Sequence, residues 1–412
     1  MTTPSQMKKN LFKIVQCLCF TFLLLACADT VWAQASQAEN ESFLGLWSSE
    51  VPFPLKSEAP FPANAEHFIV QDGNLEPEYK FMHETAIGFC GDELIFGWYN
   101  NVEKELQGKT IQRARRSFDF GATWTEPEIV MDRNSDSGTM YVGLQFMTVD
   151  NTLYLLTNLE SHAERPVHCL LAKYDPEKKS WIELSPIAER FLSMQAPILN
   201  AQGNYIVSGS YAAKPGQTFA STPAVYVSQG QDIEKAWRLV RLDMNEKVNV
   251  FAETGVVVDG SNVLAVTRRE DSPFPNFYES RDWGETWRSA PNHEFPAVHS
   301  KFAAGKFSDG IRYIVFNMPS FTRLADGTVD VKSIEANSRD SLAIAIARPD
   351  ENAFSHVYMI SDPTTSSRLA TSFYPCVVEH DGWVYVSYTA VFKDKPLRVG
   401  ALTKFPLTSI EK

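Results

Sequence analysis

The chain has 412 residues, of which 44% are hydrophobic and 21% are charged, and this composition excludes disordered, collagen-like and coiled-coil proteins. The formal net charge is −12, from 38 basic and 50 acidic residues, which argues against nucleic acid as a partner because a phosphate-binding surface needs an excess of Lys and Arg. A small anionic ligand needs only a local positive site, so it is compatible with this charge.

Residues 1–33 are predicted to be a signal peptide. Three lysines precede an apolar run over residues 14–28, and Val31-Trp32-Ala33 places small residues where a signal peptidase cleaves. We therefore expect export, to the periplasm, the outer membrane or the exterior of a bacterium. A competing interpretation takes Leu24-Leu25-Ala26-Cys27 as a lipoprotein box, with a lipid on Cys27 as the protein's one membrane anchor. No later stretch is long and apolar enough to span a bilayer.

An internal repeat predicts the architecture of residues 34–412. A turn dipeptide followed by a short strand rich in apolar, β-branched and aromatic residues recurs six times, as GDELIFGWYNN from Gly91, DNTLYLLTNL from Asp150, QGNYIVSGSY from Gln202, DGSNVLAVTR from Asp259, DGIRYIVFNM from Asp309 and DGWVYVSYTA from Asp381. This spacing leaves room for about four strands in each unit, as in propeller blades. We predict one all-β domain, a six-bladed β-propeller whose ring is closed by residues 36 to about 75 together with the strand after Leu397.

Two segments match the pattern S-x-D-x-G-x-T-W, namely Ser117–Trp124 and Ser280–Trp287. This is the Asp-box, a hairpin between the two outer strands of a blade in which the Asp caps the turn and the Gly adopts positive φ. Asp119 and Asp282 are therefore predicted to be structural and not catalytic. Degenerate copies occur at Lys173–Trp181, Ser228–Trp237 and Arg348–Phe354.

Three cysteines follow the predicted signal peptide: Cys90, Cys169 and Cys376. An odd and widely spaced set does not form a disulfide framework, so we expect small buried hydrophobic residues. The eight histidines show no metal-ligand spacing. No metal and no cofactor is predicted.

With its repeats and Asp-boxes, the predicted mature chain resembles the sialidase (neuraminidase) superfamily. The resemblance implies an active site on the face opposite the Asp-boxes, although Asp-boxes also occur in propellers with other activities or none. In a propeller the start of the first strand and the end of the second meet at one mouth. Counting from each turn dipeptide places twelve polar or amphipathic residues there: His83, Tyr141, Gln195, Glu253, Lys301 and Tyr374, then Asn100, Asn158, Tyr211, Arg268, Asn317 and Tyr388.

Three segments resemble sialidase motifs. ETGVVVDGSNVLAVTR, SRDSLAIAIARPDENAF and SFYPCVVEHDGWVYVSY imply that Glu253 is a general base, that Arg268 and Arg339 bind a sugar carboxylate, and that Tyr374 is the nucleophile. Lys301 and Gln195 are further substrate-binding candidates from their position on the mouth. The alternative for the two arginines is a structural salt bridge between blades.

Two departures from the family pattern leave the chemistry open. His83, in MHETAIGF, occupies the position of the family's first arginine, and the loop NNVEKELQGK offers only Glu103 and Glu105 as acids. A sialidase-like exo-glycosidase on a sialic or uronic acid is the main hypothesis. A uronate-directed lyase that uses His83, Tyr374 and Arg268, a rhamnosidase-type enzyme and a non-catalytic glycan-binding propeller are the alternatives. In each case the expected partner is an anionic oligosaccharide or polysaccharide, bound by a monomer.

Overall fold

The structure is a computed structural model that describes residues 44–73, 79–105, 109–133, 138–161, 168–212, 222–242, 251–290, 292, 294–361 and 369–411. The predicted signal peptide and Cys27 lie outside this range. Within it, no helix has the length and apolar character needed to cross a membrane.

The described chain forms six antiparallel sheets that follow one another as the blades of a propeller. After β1 (Glu66–Gln71), blade one contains β2 (Phe81–Cys90), β3 (Glu93–Asn101), β4 (Thr110–Ser117) and β5 (Glu128–Arg133). Blade two contains β6 (Thr139–Val149), β7 (Thr152–Ser161), β8 (His168–Asp175) and β9 (Ser180–Glu189). Blade three contains the short β10 (Phe191–Ser193) and β11 (Ile198–Leu199), which both pair with β12 (Tyr205–Tyr211), then β13 (Thr222–Val227) and β14 (Arg238–Arg241).

The second half of the ring repeats this pattern. Blade four contains β15 (Thr254–Asp259), β16 (Asn262–Thr267), β17 (Asn276–Ser280) and β18 (Arg288–Ala290). Blade five contains β19 (Ala303–Lys306), β20 (Arg312–Asn317), β21 (Leu342–Ala347) and β22 (His356–Met359). Blade six contains β23 (Leu369–His380), β24 (Trp383–Phe392) and β25 (Lys395–Pro406). Two short 3-10 helices, Val331–Ser333 and Leu407–Ser409, complete the elements. The predicted six-bladed β-propeller is confirmed.

Blade six is closed by a strand from the other end of the described chain. β1 pairs antiparallel with β25, with Phe68 opposite Leu402, and supplies the fourth strand of the sheet. This pairing covers the edge of β25 that would otherwise be open, and it joins the two ends of the ring.

The hydrophobic core lies between adjacent blades. Between blades six and one, Phe96, Trp98, Tyr385 and Leu402 are almost fully buried in one cluster, and full burial of each such side chain contributes roughly 1.5–3 kcal/mol. Inner strands are therefore apolar along most of their length, whereas the outer strand β9 is mostly exposed. Cys169 and Cys376 are buried in this interior and, like Cys90, form no disulfide.

The two Asp-boxes have the contacts that their sequence predicts. Asp119 Oδ1 accepts a hydrogen bond of 2.8 Å from Thr123 N, and Asp282 Oδ1 accepts one of 2.9 Å from Thr286 N. Gly121 and Gly284 adopt φ of +92° and +91°, a conformation that side chains with a Cβ rarely take. Both aspartates cap the turn between the third and fourth strands of a blade. This turn lies at the end of the strands away from the predicted active-site mouth.

Three inner strands carry a bulge close to that opposite mouth. The pairing register shifts between His83 and Ala86 in β2, between Val142 and Leu144 in β6, and between Phe373 and Cys376 in β23. The bulged residues Glu84, Gly143 and Tyr374 have φ of +45°, +65° and +60°. For Glu84 and Tyr374 such a backbone costs on the order of 1–3 kcal/mol, and strain of this kind clusters at functional sites.

Candidate active site

The candidate site lies where first strands begin and second strands end. Glu253 directly precedes β15, Arg268 directly follows β16, and His83 lies near the start of β2. Tyr374 reaches the same mouth through the bulge in β23. The Asp-box turns connect third and fourth strands at the other end of the blades, so these four residues lie on the face opposite them.

Tyr374, Glu253 and Arg268 form one buried network that joins blades six and four. The Tyr374 hydroxyl donates a hydrogen bond to Glu253 Oε1. Arg268 Nη1 donates to Glu253 Oε2 at 2.9 Å and lies 3.5 Å from the Tyr374 oxygen. Burial, and then the Glu253 carboxylate, raise the pKa of Tyr374 well above its usual value. The resting phenol is therefore neutral, and Glu253 is the group that can take its proton when the oxygen attacks.

Arg268 is held by two carboxylates. Besides the contact with Glu253, its Nε donates to Glu270 Oε1 at 2.5 Å, and its guanidinium lies 4.7 Å from the centre of the Phe251 ring. Burial is the largest single effect and opposes the charge, but the acidic neighbours together, Glu253 first and Glu270 after it, outweigh burial and raise the pKa of Arg268. Two of its three nitrogens are thus already engaged within the protein.

His83 packs against the nucleophile candidate. Its ring centre is 4.4 Å from that of Tyr374 in an edge contact, and its Nε2 is 3.9 Å from Glu105 Oε1. Burial, followed by the charges of Arg398, Arg339 and Lys301, lowers the pKa of His83 well below its usual value. His83 is consequently neutral at neutral pH and does not supply the positive charge of the arginine that the sequence resemblance leads us to expect at this position.

Two other predicted cations border the site. Arg339 Nη2 donates to His299 O at 2.6 Å, and its guanidinium carbon lies 6.0 Å from the centre of the Tyr374 ring. Lys301, only 1% exposed, places Nζ 5.6 Å from the same ring centre. The structure therefore brings Arg339 and Lys301 to Tyr374.

The predicted substrate-binding residue Gln195 has another role in the structure. Its Oε1 accepts hydrogen bonds from Val256 N at 3.1 Å and Ala304 N at 3.4 Å, and its Nε2 donates to Val256 O at 3.3 Å. The amide links backbone atoms of blades four and five to blade three, so both of its polar atoms already have partners within the protein, and a substrate-binding role for Gln195 stays a prediction. Asn158 similarly accepts from Ser193 N at 2.8 Å.

Of the two glutamates in the loop after β3, only one faces the site. Glu103 accepts a hydrogen bond of 2.6 Å from Lys80 Nζ at the exposed surface. Glu105 lies beside His83, and Tyr99 Oη is 3.5 Å from its Oε1. Burial, and secondarily the Glu253 carboxylate, raise the pKa of Glu105 although Arg398 opposes them. A carboxyl group with a raised pKa keeps its proton to a higher pH, which is what a general acid requires.

Two functional candidates were missed by the sequence analysis. Arg398, in β25, has its guanidinium carbon 4.1 Å from the Phe81 ring centre and 5.2 Å from that of Phe373. Glu84 is buried, and burial is the main cause that raises its pKa to about 7, against the attraction of Lys301. Arg398 was missed because β25 is a third strand. It starts at the same mouth as the site, but the count from the turn dipeptides considered only first and second strands. The bulge that places Glu84 has no sequence signature.

One group among the described residues has the composition of a metal site. Asp92, His380 and Asp381 hold ligand atoms within 4.8 Å of one another. Asp92 and Asp381 lie in the turns that follow β2 and β23, and His380 is the last residue of β23, at the end of the blades where the Asp-boxes lie. The group is therefore separate from the Tyr374 site.

The comparisons with known proteins agree with the fold. Residues 110–388, more than half of the chain, match the family described as BNR repeat-like domain, and no curated protein matches. The sialidase of Trypanosoma rangeli in complex with sialic acid is 13% identical, with a TM-score of 0.58 over 85% of this chain and 60% of that chain. The intramolecular trans-sialidase of Ruminococcus gnavus in complex with oseltamivir carboxylate is 13% identical, with a TM-score of 0.59 over 82% and 96% of the two chains.

A third structure carries no functional description. A protein of unknown function from Dyadobacter fermentans is 13% identical, with a TM-score of 0.61 over 84% of this chain and all of its own. At these identities the likeness establishes the propeller fold alone. This chain also spans only about three fifths of the T. rangeli chain.

Proposed function

Since the chain belongs to the BNR repeat-like family, we propose that it is an exported, sialidase-like exo-glycosidase that removes a sialic or uronic acid from an anionic glycan. The observation that carries this proposal is the buried hydrogen bond from Tyr374 to Glu253, with Arg268 beside both. A binding protein needs no phenol paired with a carboxylate base. A nucleophile does, because a phenol with a high pKa attacks only as it loses its proton.

The first step forms a covalent intermediate. The Tyr374 oxygen attacks the anomeric carbon, its proton passes to Glu253, and the bond from that carbon to the glycosidic oxygen breaks. Glu105, whose pKa is raised, protonates the departing oxygen. In the second step Glu105, now a carboxylate, removes a proton from water, which attacks the same carbon. The bond to Tyr374 breaks, and Glu253 returns the proton to the phenolate.

A tyrosine suits an acidic sugar better than the usual carboxylate nucleophile. The substrate's own carboxylate repels an approaching Asp or Glu side chain, whereas a neutral phenol meets no such repulsion. The neutral state of Tyr374 is therefore consistent with an anomeric centre that carries, or lies near, a negative group.

A uronate lyase is a second candidate because His83 is neutral and lies against Tyr374, with ring centres 4.4 Å apart. A neutral imidazole can remove the proton at C5, and Tyr374 can protonate the leaving oxygen. Product analysis separates the reactions on a panel of sialylated and uronate-containing glycans. A hydrolase releases a saturated acidic sugar, whereas a lyase produces an unsaturated uronate that absorbs in the near ultraviolet. If neither product forms, the glycosidase proposal is wrong.

Export is the part of the proposal that rests on residues 1–33 alone. Fractionation of the producing cell, with N-terminal sequencing of the mature protein, tests it. Cleavage after Ala33 supports a signal peptide. A lipid-labelled N-terminal Cys27, lost in Cys27→Ala, supports the lipoprotein alternative, and an uncleaved cytoplasmic chain contradicts both.

A further inference from the structure

The arginines of the site differ in whether they form a direct salt bridge. Arg268 is paired with Glu253 and Glu270. Among the described residues, by contrast, neither Arg339 nor Arg398 forms a salt bridge, and Arg398 Nη1 is buried without a hydrogen-bond partner. Two partly buried guanidinium groups that share one nearby acidic group, Glu105, and have no direct ion pair within the described part of the chain are costly, and an anionic ligand relieves that cost.

Both of these arginines lie near the aromatic ring of Phe373. The guanidinium carbons of Arg339 and Arg398 lie 5.5 and 5.2 Å from the centre of Phe373, and Arg398 also lies 4.1 Å from Phe81. Contacts with aromatic faces stabilise a guanidinium while leaving its N–H donors for a planar anion. Burial is the main cause that lowers the pKa of Arg398; Glu105 opposes it, and the charge of Arg339 adds to it. The charge of Arg339 is thus felt at Arg398.

We infer that Arg398 is the missing cation of the carboxylate site and that it binds the substrate's carboxylate together with Arg339, while Arg268 positions Glu253. This inference rests on the proposed function and specifies its substrate recognition. It accounts for His83 at the position of the family's first arginine, since the positive charge enters from β25 of blade six instead of β2 of blade one. It also assigns Arg268 to the catalytic pair that it already contacts.

The inference is tested with ligands that differ only in their carboxylate. Sialic acid and glucuronic acid, each beside its methyl ester, are titrated into the parent protein and into Arg398→Met, which keeps an apolar stem against Phe81. We expect affinity for the acids to fall by about ten- to a hundredfold, the effect of one charge-assisted hydrogen bond, with no change for the esters. Arg238→Met, at an exposed arginine paired with Glu285, is the matched control and should change neither.

A second variant keeps the test decisive if Arg398→Met does not fold. Arg398→Lys retains the charge but loses the planar fork, so it should lose part of the affinity for the acids and none for the esters. Melting temperatures of all variants identify any loss of fold.

The failure of this inference differs from the failure of the glycosidase proposal. Unchanged affinity for the acids in Arg398→Met and in Arg398→Lys, with turnover intact, overturns the role of Arg398 and leaves the glycosidase. Loss of affinity on a protein that turns over no acidic glycoside supports the role of Arg398 and contradicts the glycosidase. If the parent protein binds neither acid, both are wrong.

Discussion

The Tyr374 hydroxyl donates a hydrogen bond to Glu253 Oε1, joining blade six to blade four. Tyr374 achieves this from a bulge at φ +60°, and Glu253 directly follows Ala252, which has φ +42°. Each partner of this hydrogen bond thus lies at, or directly after, a residue with a strained backbone. Such strain persists only where the surrounding structure enforces it. Here the enforced backbone conformation places a phenol beside its base.

Replacement of Tyr374 by Phe should abolish turnover of an acidic glycoside. The ring and its contacts with His83 and Lys301 remain, so binding should stay within about twofold, while the rate should fall at least about a thousandfold because the attacking oxygen is gone. Steady-state kinetics and titration with the acidic sugar measure the two effects.

Tyr154→Phe is the matched control for that variant. Tyr154 also donates to a glutamate, with 2.9 Å to Glu234 Oε1, but near the turn end of its strand. The variant Tyr154→Phe should therefore keep full activity. An active Tyr374→Phe would exclude Tyr374 as the nucleophile.

Replacement of Glu105 by Gln should slow only those steps that need a proton donor. For a substrate with an alkoxide-like leaving group we expect a loss of about a hundredfold or more, and for one with a nitrophenolate leaving group a much smaller effect on the first step. Glu103→Gln, in the same loop but paired with Lys80, should behave like the parent protein. Equal losses on both substrates would argue that Glu105 is structural.

Glu84 should make the stability of the protein depend on pH. Burial is the main cause that raises its pKa from 4.5 to about 7, with Glu253 and Glu105 adding to it and Lys301 opposing it. Between these values the folded state holds a proton that the unfolded state has lost, so this contribution to stability is complete below pH 4.5 and is lost as the pH rises to 7. The shift corresponds to at most about 3 kcal/mol.

The variant Glu84→Gln removes this titration. Relative to the parent protein, its free energy of unfolding should rise by up to about 3 kcal/mol between pH 4.5 and pH 8, as measured by urea denaturation. A constant difference between the two proteins across this range would show that Glu84 is not the titrating group.

Asp282→Ala should reduce stability without affecting the chemistry. Asp282 accepts hydrogen bonds from Thr286 N at 2.9 Å and Thr286 Oγ1 at 2.6 Å, and the loss of such a turn cap costs roughly 1–2 kcal/mol. The melting temperature should fall, while kcat of the folded fraction stays unchanged. A large loss of kcat with an unchanged melting temperature would mean that the Asp-box has a catalytic role.

The sequence predicted what short local patterns control. Turn dipeptides followed by apolar strands identified the blades, and S-x-D-x-G-x-T-W identified hairpins whose contacts the structure contains. It also placed Glu253, Arg268 and Tyr374 at one mouth, because first and second strands alternate in direction. Arg398 was missed since its position depends on the long side chain of a third strand. Glu84 was missed because one bulge decides which way it points. For Gln195 the sequence predicted the position on the mouth but not the backbone hydrogen bonds, because an inward-facing amide can bind backbone as readily as a sugar.

The covalent intermediate on Tyr374 is the most direct test of the account. A 2,3-difluoro acidic sugar should transfer its sugar to the Tyr374 oxygen with loss of fluoride, and the second fluorine should slow the release of that sugar. Mass spectrometry of the proteolysed protein should then find one added sugar on the peptide that contains Tyr374, and none in Tyr374→Phe. A sugar attached to another residue, or an unlabelled protein that still hydrolyses the matching acidic glycoside, would contradict it.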